Sequence, residues 1–403
     1  MNPRTIYYWF QALSTFGTMC TAAIYALFLF SIGLSIAEVA AINVAFWTII
    51  ILGEVPTGMF ADGRSRVWSI RTGAALRLAG VLVYFVVTDV WSALAAELVV
   101  GLAEAFLSGV LQAWITDALG RRGEANELRR VFATASVVRG AAALAVGILG
   151  AFVGALIGLR AVWLLAALFL VGALILAWWG MRGDGEPLKR ISGWAAFGRA
   201  IRVLAARRAL WWAAAAAVVA GVSVPIGHYW APFYSARLGG IEVFSETVCI
   251  SPWLGVVWTI VFVPVTIAGF LVRRLSVRLG QEAVWVAGSL VLSGIGVAFI
   301  GLLPGLLAPS VLLVMHEIGR GAFEPLLESF TQHRIESSYR ATYGSLQSLI
   351  GRFGYAGTLA GVWVGTSGAP STLATMVFVL VVCGSIQAGL AILLWLLRPA
   401  DAR

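Results

Sequence analysis

Apolar stretches of about 20 residues recur along the whole of this 403-residue chain, at a length that a hydrocarbon core about 30 Å thick demands of a helix. Each stretch must satisfy its own backbone hydrogen bonds inside lipid, which selects helices. The short alternating segments of a membrane barrel are absent. Composition agrees: 60% of residues are hydrophobic and 12% are charged, far into the membrane class. Twelve spans are read at 5–32, 37–61, 68–88, 91–119, 128–157, 160–180, 209–235, 246–272, 282–302, 306–333, 340–365 and 371–397. The first is too long for a signal-peptide core and has no small-residue cleavage site, so it counts as a span. The expected fold class is all-α integral membrane, with twelve transmembrane helices.

The net charge of +9 is distributed as topology information. Arginines fall in alternate loops: Arg64, Arg66 and Arg71; Arg121, Arg122, Arg129 and Arg130; Arg273, Arg274 and Arg278; Arg334 and Arg340; then Arg398 and Arg403. The opposite side has only Arg160 and Arg237. The excess of arginine on one side predicts that both termini are cytoplasmic, in a multi-pass protein of the cytoplasmic membrane. This pattern argues against a nucleic-acid partner. Membrane lipid and a small-molecule substrate are the expected partners, and the chain is expected to be monomeric.

The longest polar stretch divides the chain into 1–181, a linker at 182–208 and 209–403. Within the linker, Trp194, Phe197, Ile201 and Leu204 recur at helical spacing against Arg190, Arg199, Arg202 and Arg207. This reads as an amphipathic helix on the membrane surface or as a solvated connection. The halves match faintly: Phe30-Ser31 with Tyr234-Ser235, and Leu34, Glu38 and Val39 with Leu238, Glu242 and Val243. Pro56 and Pro264 also correspond. These correspondences point to an internal duplication.

Catalytic motifs are missing. His316-Glu317-x-x-Arg320 has an arginine where a zinc helix needs its second histidine. The single lysine, Lys189, follows Leu188, so there is no phosphate loop, and no Gly-x-Ser-x-Gly elbow occurs. Cys20, Cys249 and Cys383 lie in apolar segments without a CxxC pair and read as buried thiols. No cofactor, no metal site and no enzyme are expected. An integral-membrane enzyme is the remote alternative.

Ionisable residues inside spans cost about 2.5–3.5 kcal/mol each and need partners or a function. Glu97 and Glu104 share a face of the fourth span, which Ser108 and Gln112 continue. Glu317, Arg320, Glu324 and Glu328 form one stripe on the tenth, bordered by His316. Two readings stay open for it: proton exchange at Glu104, Glu317 or Glu324, tuned by Arg320, or a satisfied ion network that braces helices. Glu328, near the end of its span, reads as structural. Arg139 and Arg352 occupy similar places in the two halves, and Arg77 can snorkel or pair with Glu54. Glu54 itself is divided between proton site and gate brace.

The seventh span contains Pro225, Gly227, His228, Tyr229, Trp230 and Pro232, and a kink or break is expected at the prolines. Tyr25 aligns with Tyr229. Tyr25, His228 and Tyr229 are pocket candidates, whereas Trp230, Phe233 and Tyr234 read as an interfacial belt. Gly150, Gly154 and Gly158 form a close-packing ridge on the fifth span.

The loop Gly58-Met59-Phe60-Ala61-Asp62-Gly63-Arg64-Ser65-Arg66 resembles the signature loop between the second and third helices of the major facilitator superfamily. Gly58, Asp62 and Arg66 keep their places; Gly63, Ser65 and Val67 replace a basic residue, a glycine and a basic residue. Glu54-Val55-Pro56-Thr57-Gly58 looks like the Glu-Ile-Pro-Thr-Gly lead-in of a bacterial branch. Ser108-Gly109, Ala113-Trp114 and Asp117, with Arg340-Ala341-Thr342, are similar to further runs of that branch. The glycine ridge lacks the proline of the superfamily's drug–proton antiporters.

The resemblance implies a secondary transporter of two pseudo-symmetric six-helix bundles, with helices one, four, seven and ten around a central cavity. It implies that Asp62 faces the start of the eleventh helix at Arg340, and that Arg66 pairs with Asp117, so that Gly58, Asp62, Arg66, Asp117 and Arg340 form a gate latch. Gln112, His316, Arg320, Arg139 and Arg352 join Tyr25, His228 and Tyr229 as cavity candidates. The expected activity is proton-coupled export of a small amphipathic organic compound. Proton-coupled uptake of a nutrient or anionic metabolite is the alternative, kept open by the cavity arginines.

Overall fold

The structure, a computed structural model, describes residues 2–63, 65–124, 127–181, 198, 207–238, 253–272, 281–332, 334–335 and 340–399. Among them there is no strand, and the helices make twelve rods. Span one is Pro3–Met19 followed by Tyr25–Ser31; spans two and three are Ile36–Gly63 and Arg66–Val86. Span four is Val90–Leu107 followed by Val110–Gly120, and span five is Leu128–Leu156. Span six is Leu159–Ile175, ending in a π-helical turn over Leu176–Gly180. Span seven is Arg208–Ala220 and Val224–Leu238, joined by a 3₁₀ turn. Spans eight to twelve are Leu254–Val272, Glu282–Ile300, Leu307–Gln332, Arg340–Thr366 and Leu373–Leu396.

Eight rods are long and apolar enough to cross a membrane by length and composition: spans two to seven, nine and twelve. The first is interrupted by a turn, the eighth is short, and the tenth and eleventh carry the densest polar faces.

The helix starts follow local chemistry. Asn2 accepts from the Arg4 amide (3.1 Å), and Thr372 from the Thr375 amide (3.2 Å). Ser35 and Glu38 exchange hydrogen bonds at the start of span two, closing a capping box. Asp89 and Ser92 do the same at span four. The Ser92 amide there holds the Asp89 carboxyl below its usual range. That cap's contribution is present above the ordinary carboxylate pKa and fades as pH falls through the lowered value.

The two arginines on the sparsely charged side both serve helix ends. Arg160 donates to the carbonyls of Phe85 and Val87 at the end of span three. Arg237 donates to Leu303 (2.7 Å) and Gly305 (2.8 Å) after span nine. Their charge is thus committed to carbonyls that no helical N–H reaches.

The chain divides into two compact units. The first comprises Met1–Leu34, Ala45–Gly193 and Cys249–Gly255; the second comprises Ser35–Val44, Trp194–Val248 and Val256–Arg403. The first has a core of Tyr7, Phe10, Ile70, Trp114, Ile115 and Leu119, drawn from spans one, three and four. A Cβ on Gly150 would overlap the Cys20 carbonyl, so span five packs backbone to backbone against span one. Gly158 lies beyond that helix and precedes span six, so the glycine ridge is shorter than its spacing suggests.

The second unit is packed around spans seven, nine, ten and twelve, with Trp212, Leu290, Leu327 and Phe330 at its core. Spans nine and twelve meet at Gly294 and Gly384, where a Cβ on either residue would strike the other helix's backbone. Gly319 of span ten lies equally close to Ser289 and Ser293 of span nine.

Span seven corrects two expectations. Its break falls at Gly221–Ser223, ahead of the prolines. Pro225 sits in the first turn of Val224–Leu238, where its missing N–H costs nothing, and the helix runs on through Pro232. Trp230, Phe233 and Tyr234 are no interfacial belt: they are 4%, 0% and 1% exposed. Trp230 packs on Trp258, and the Tyr234 hydroxyl meets Ser310 Oγ (3.2 Å), so these rings belong to the interior. Cys20 and Cys383 are buried and free. Cys249, the linker helix around Trp194 and the arginines 273, 274 and 278 lie outside the described residues.

Candidate functional site

In the first unit the polar groups converge on a discontinuity in span four. Ser108 ends one helix with ψ 116°, and Gly109 begins the next at φ 69°. A left-handed conformation there is open to glycine and closed to most side chains. The break is fixed on two sides. Thr57 Oγ1 donates to the Ala105 carbonyl (2.9 Å), and Ser69 Oγ to that of Phe106 (2.9 Å), taking carbonyls at the end of Val90–Leu107.

The ionisable side chains gather around this point. Arg77 of span three forms an ion pair with Glu104, its own side chain 12% exposed and that of Glu104 41%. Glu54 accepts from Ser108 Oγ (3.3 Å). Arg77 thus pairs with Glu104, a partner that the spacing did not single out. Glu97, 6% exposed, is bound by the Tyr84 hydroxyl and by Tyr25, and lies within electrostatic reach of Arg77. Tyr84 stacks flat on Trp163 at 4.3 Å, and Tyr25 meets Tyr84 edge-on at 6.0 Å. Gln112 does not join this face. The turn redirects span four, and Gln112 is exposed beyond it.

Tyr84→Phe leaves a buried carboxylate short of one donor. It is expected to lower stability by about 1–3 kcal/mol, read as a lower thermal unfolding midpoint in detergent.

At the end of span four the loop pairing is present. Arg66 forms an ion pair with Asp117 and also donates to the Ala113 carbonyl (2.8 Å). Gly58 lies within span two, one turn before Asp62. The side chains of Asp62 and Arg340 lie outside the described portion, although both residues belong to helices. Arg139 of span five is half-buried, within electrostatic reach of Tyr7.

The second unit holds a separate polar cluster. Glu317, 4% exposed, accepts from Arg320 Nε (2.7 Å), while the Arg320 side chain is 50% exposed. His316 Nδ1 meets Ser293 Oγ at 2.9 Å, and Gln387 Nε2 donates to the same hydroxyl (3.0 Å). Spans nine, ten and twelve are thus cross-linked by a buried polar chain. His316 is 2% exposed and belongs to that brace, with Glu317 Oε1 4.0 Å from its Nε2. Glu324 and Glu328 are exposed. Tyr355 of span eleven lies within electrostatic reach of Glu324, Arg320 and Arg352 together. In span seven, Tyr229 is buried with its hydroxyl 3.4 Å from the Ile36 carbonyl, and His228 is half-buried one residue earlier.

Sequence reasoning missed the Glu97–Tyr84 pair as a site. Its signal was available: a carboxylate on the Glu104 face and a tyrosine one span earlier, with nothing in the spacing to join them. Two of the cavities among the described residues are lined by none of the predicted cavity, coupling or latch residues. No cluster of metal-ligating side chains occurs among the described residues.

A membrane-embedded bundle of twelve helices, broken at polar points and carrying charge in mid-span, defines a secondary transporter. The match of residues 8–358 to the family model of the Major Facilitator Superfamily settles the lineage, and the chain belongs to that superfamily. Among solved structures it is similar to the nucleoside transporter NupG (11% identity, 99% of this chain and 100% of that one, TM-score 0.79). It is also similar to a peptide transporter, POT, in complex with sulfate (13%, 100% and 95%, 0.74). A third is a bacterial homolog of the human lysosomal transporter Spinster (15%, 99% and 95%, 0.68). At these identities the likeness concerns the fold. A search of curated protein sequences gave no match.

Proposed function

We propose that this transporter exports a small amphipathic organic compound in exchange for protons, by alternating access. The observation that carries this is the charge balance at the span-four break. Among the described residues, Glu54 and Glu104 lie at the break and Glu97 two turns further up the same helix as Glu104, with Arg77 paired to Glu104 and within electrostatic reach of Glu97. Acids in excess of bases inside a membrane reach neutrality by taking protons. Glu104 and Glu54 are the coupling groups, with Glu317 and Glu324 as a second pair around Arg320. The aromatic surround of Tyr25, Tyr84 and Trp163 supports a flat or cationic cargo.

The two six-helix halves, 1–181 and 209–403, rock about the 182–208 linker. Gly58, Asp62, Arg66, Asp117 and Arg340 act as the latch on the cytoplasmic side, where both termini lie, in a protein of the cytoplasmic membrane. The Arg66–Asp117 pair supports this role. Asp117→Asn is expected to change transport by a factor of about 5–150, the span of a typical coupling free energy, without lowering the amount of folded protein.

A second reading is proton-coupled uptake of an anionic or polar nutrient. Arg320, half-exposed beside Glu317 and electrostatically close to the Tyr355 that also senses Arg352, favours it. So do the names of the nucleoside and peptide transporters above. Proteoliposomes under an imposed pH gradient separate the two. Protons moving against the substrate support export, and co-directional movement establishes uptake.

A further inference from the structure

A cavity of about 590 Å³ opens between spans one, four and six of the first unit. One wall is charged: Arg121, at the C-cap of the second half of span four, and Arg122 beside it. The other is aromatic and aliphatic, made by Trp114, Ile175, Leu176 and Trp179. Trp179 is 76% exposed and Ile175 43%, so this wall continues onto the outer surface of the bundle. Trp114 is 2% exposed, and its indole N–H has no acceptor among the described residues.

The π-helical turn at Leu176–Gly180 shapes the site. A π turn frees carbonyls and widens the helix. Arg71 takes those of Ala177 (3.0 Å), Trp178 (2.9 Å) and Met181 (3.1 Å), which anchors the turn. Among the described residues, two acids near this rim pair with other arginines: Glu124 with Arg4 (2.7 Å) and Asp117 with Arg66. Arg122 makes no ion pair among the described residues and is exposed.

A basic rim above an apolar, tryptophan-bearing wall that runs out to the lipid-facing surface matches an amphiphile with an anionic head. We propose that this cavity is a binding site for an anionic phospholipid, its phosphate on Arg121 and Arg122 and its acyl chains along Ile175 and Trp179. It is separate from the carboxylate cluster of the transport reading and does not depend on the direction of transport.

The purified, delipidated protein can be titrated with phosphatidylglycerol or phosphatidylcholine and examined by native mass spectrometry. Phosphatidylglycerol is expected to be retained about 10- to 30-fold better, from two arginines acting on one headgroup. Arg121→Gln with Arg122→Gln should erase that preference, while Arg398→Gln leaves it intact. Trp179→Ala should weaken retention of both lipids. Equal retention of the two lipids, or a double variant that keeps the preference, overturns the proposal. Competition by excess inorganic phosphate as effective as by the lipid also overturns it, because the site would then serve a soluble anion. Arg122→Gln alone, with an unchanged unfolding midpoint, should lower the preference at least threefold; an unchanged preference counts against the site even if the double variant misfolds.

Discussion

Glu104→Gln is expected to abolish transport driven by a pH gradient, with a large loss of stability alongside. The Arg77 side chain is 12% exposed and pairs with Glu104. Removing one partner of a buried pair leaves an uncompensated charge, at a cost of about 3–5 kcal/mol, discounted here because Glu104 is 41% exposed. The informative experiment is the double variant Glu104→Gln with Arg77→Gln, in which no charge is left stranded. If Glu104 is a brace, the pair of neutral substitutions restores both the unfolding midpoint and gradient-driven transport. If Glu104 carries the coupled proton, stability returns and gradient-driven transport does not, although substrate exchange in the absence of a gradient persists. Gradient-driven transport by the single variant at the unmodified rate would remove Glu104 from the mechanism outright.

The second large effect is steric. Gly384→Val is expected to prevent spans nine and twelve from meeting. A Cβ at position 384 falls against the backbone of Ala298 and Gly294, and main chain cannot step aside as a side-chain tip can. Overpacking costs about 1–3 kcal/mol where side chains can adjust, and this contact sits at or beyond the upper end. The buried chain Gln387–Ser293–His316 depends on the same approach, so its hydrogen bonds are lost with it. Gly389→Val on the same helix meets open space and supplies the control. A detergent-solubilised Gly384→Val protein with the midpoint of the Gly389→Val protein would refute the close-packing account.

The architecture was legible because lipid leaves a chain few options. Spans of fixed length, arginine in alternate loops and a charged signature loop are all local features, and each is readable without knowing what it packs against. The Arg66–Asp117 pair was legible through the family resemblance. Partnerships between spans were much less so. Arg77 had two acids at plausible depth, and sequence spacing carries no rotation of one helix against another. The structure pairs Arg77 with Glu104, while Glu54 accepts from Ser108. The direction of Gln112 was illegible for the same reason, since helical periodicity cannot be carried through a left-handed glycine. The aromatic run after Pro225 looked interfacial from composition, and only packing on Trp258 and Ser310 turned it inward.

The broken fourth span has a mechanical meaning. Its first half, Val90–Leu107, is pinned at its C-terminal end by Thr57 and Ser69, so that segment is a fixed post. Its second half, Val110–Gly120, is an arm that starts at Gly109 and is held near its far end by the Arg66–Asp117 bond. Eight residues at about 1.5 Å each separate the hinge from Asp117, so the arm is about 12 Å long. A swing of about 10° at the hinge moves its tip about 2 Å, enough to part a hydrogen bond between charged groups. The arm also carries Trp114, Ile115 and Leu119 into the core shared with spans one and three, so any swing at Gly109 would have to move that packed wall as one piece.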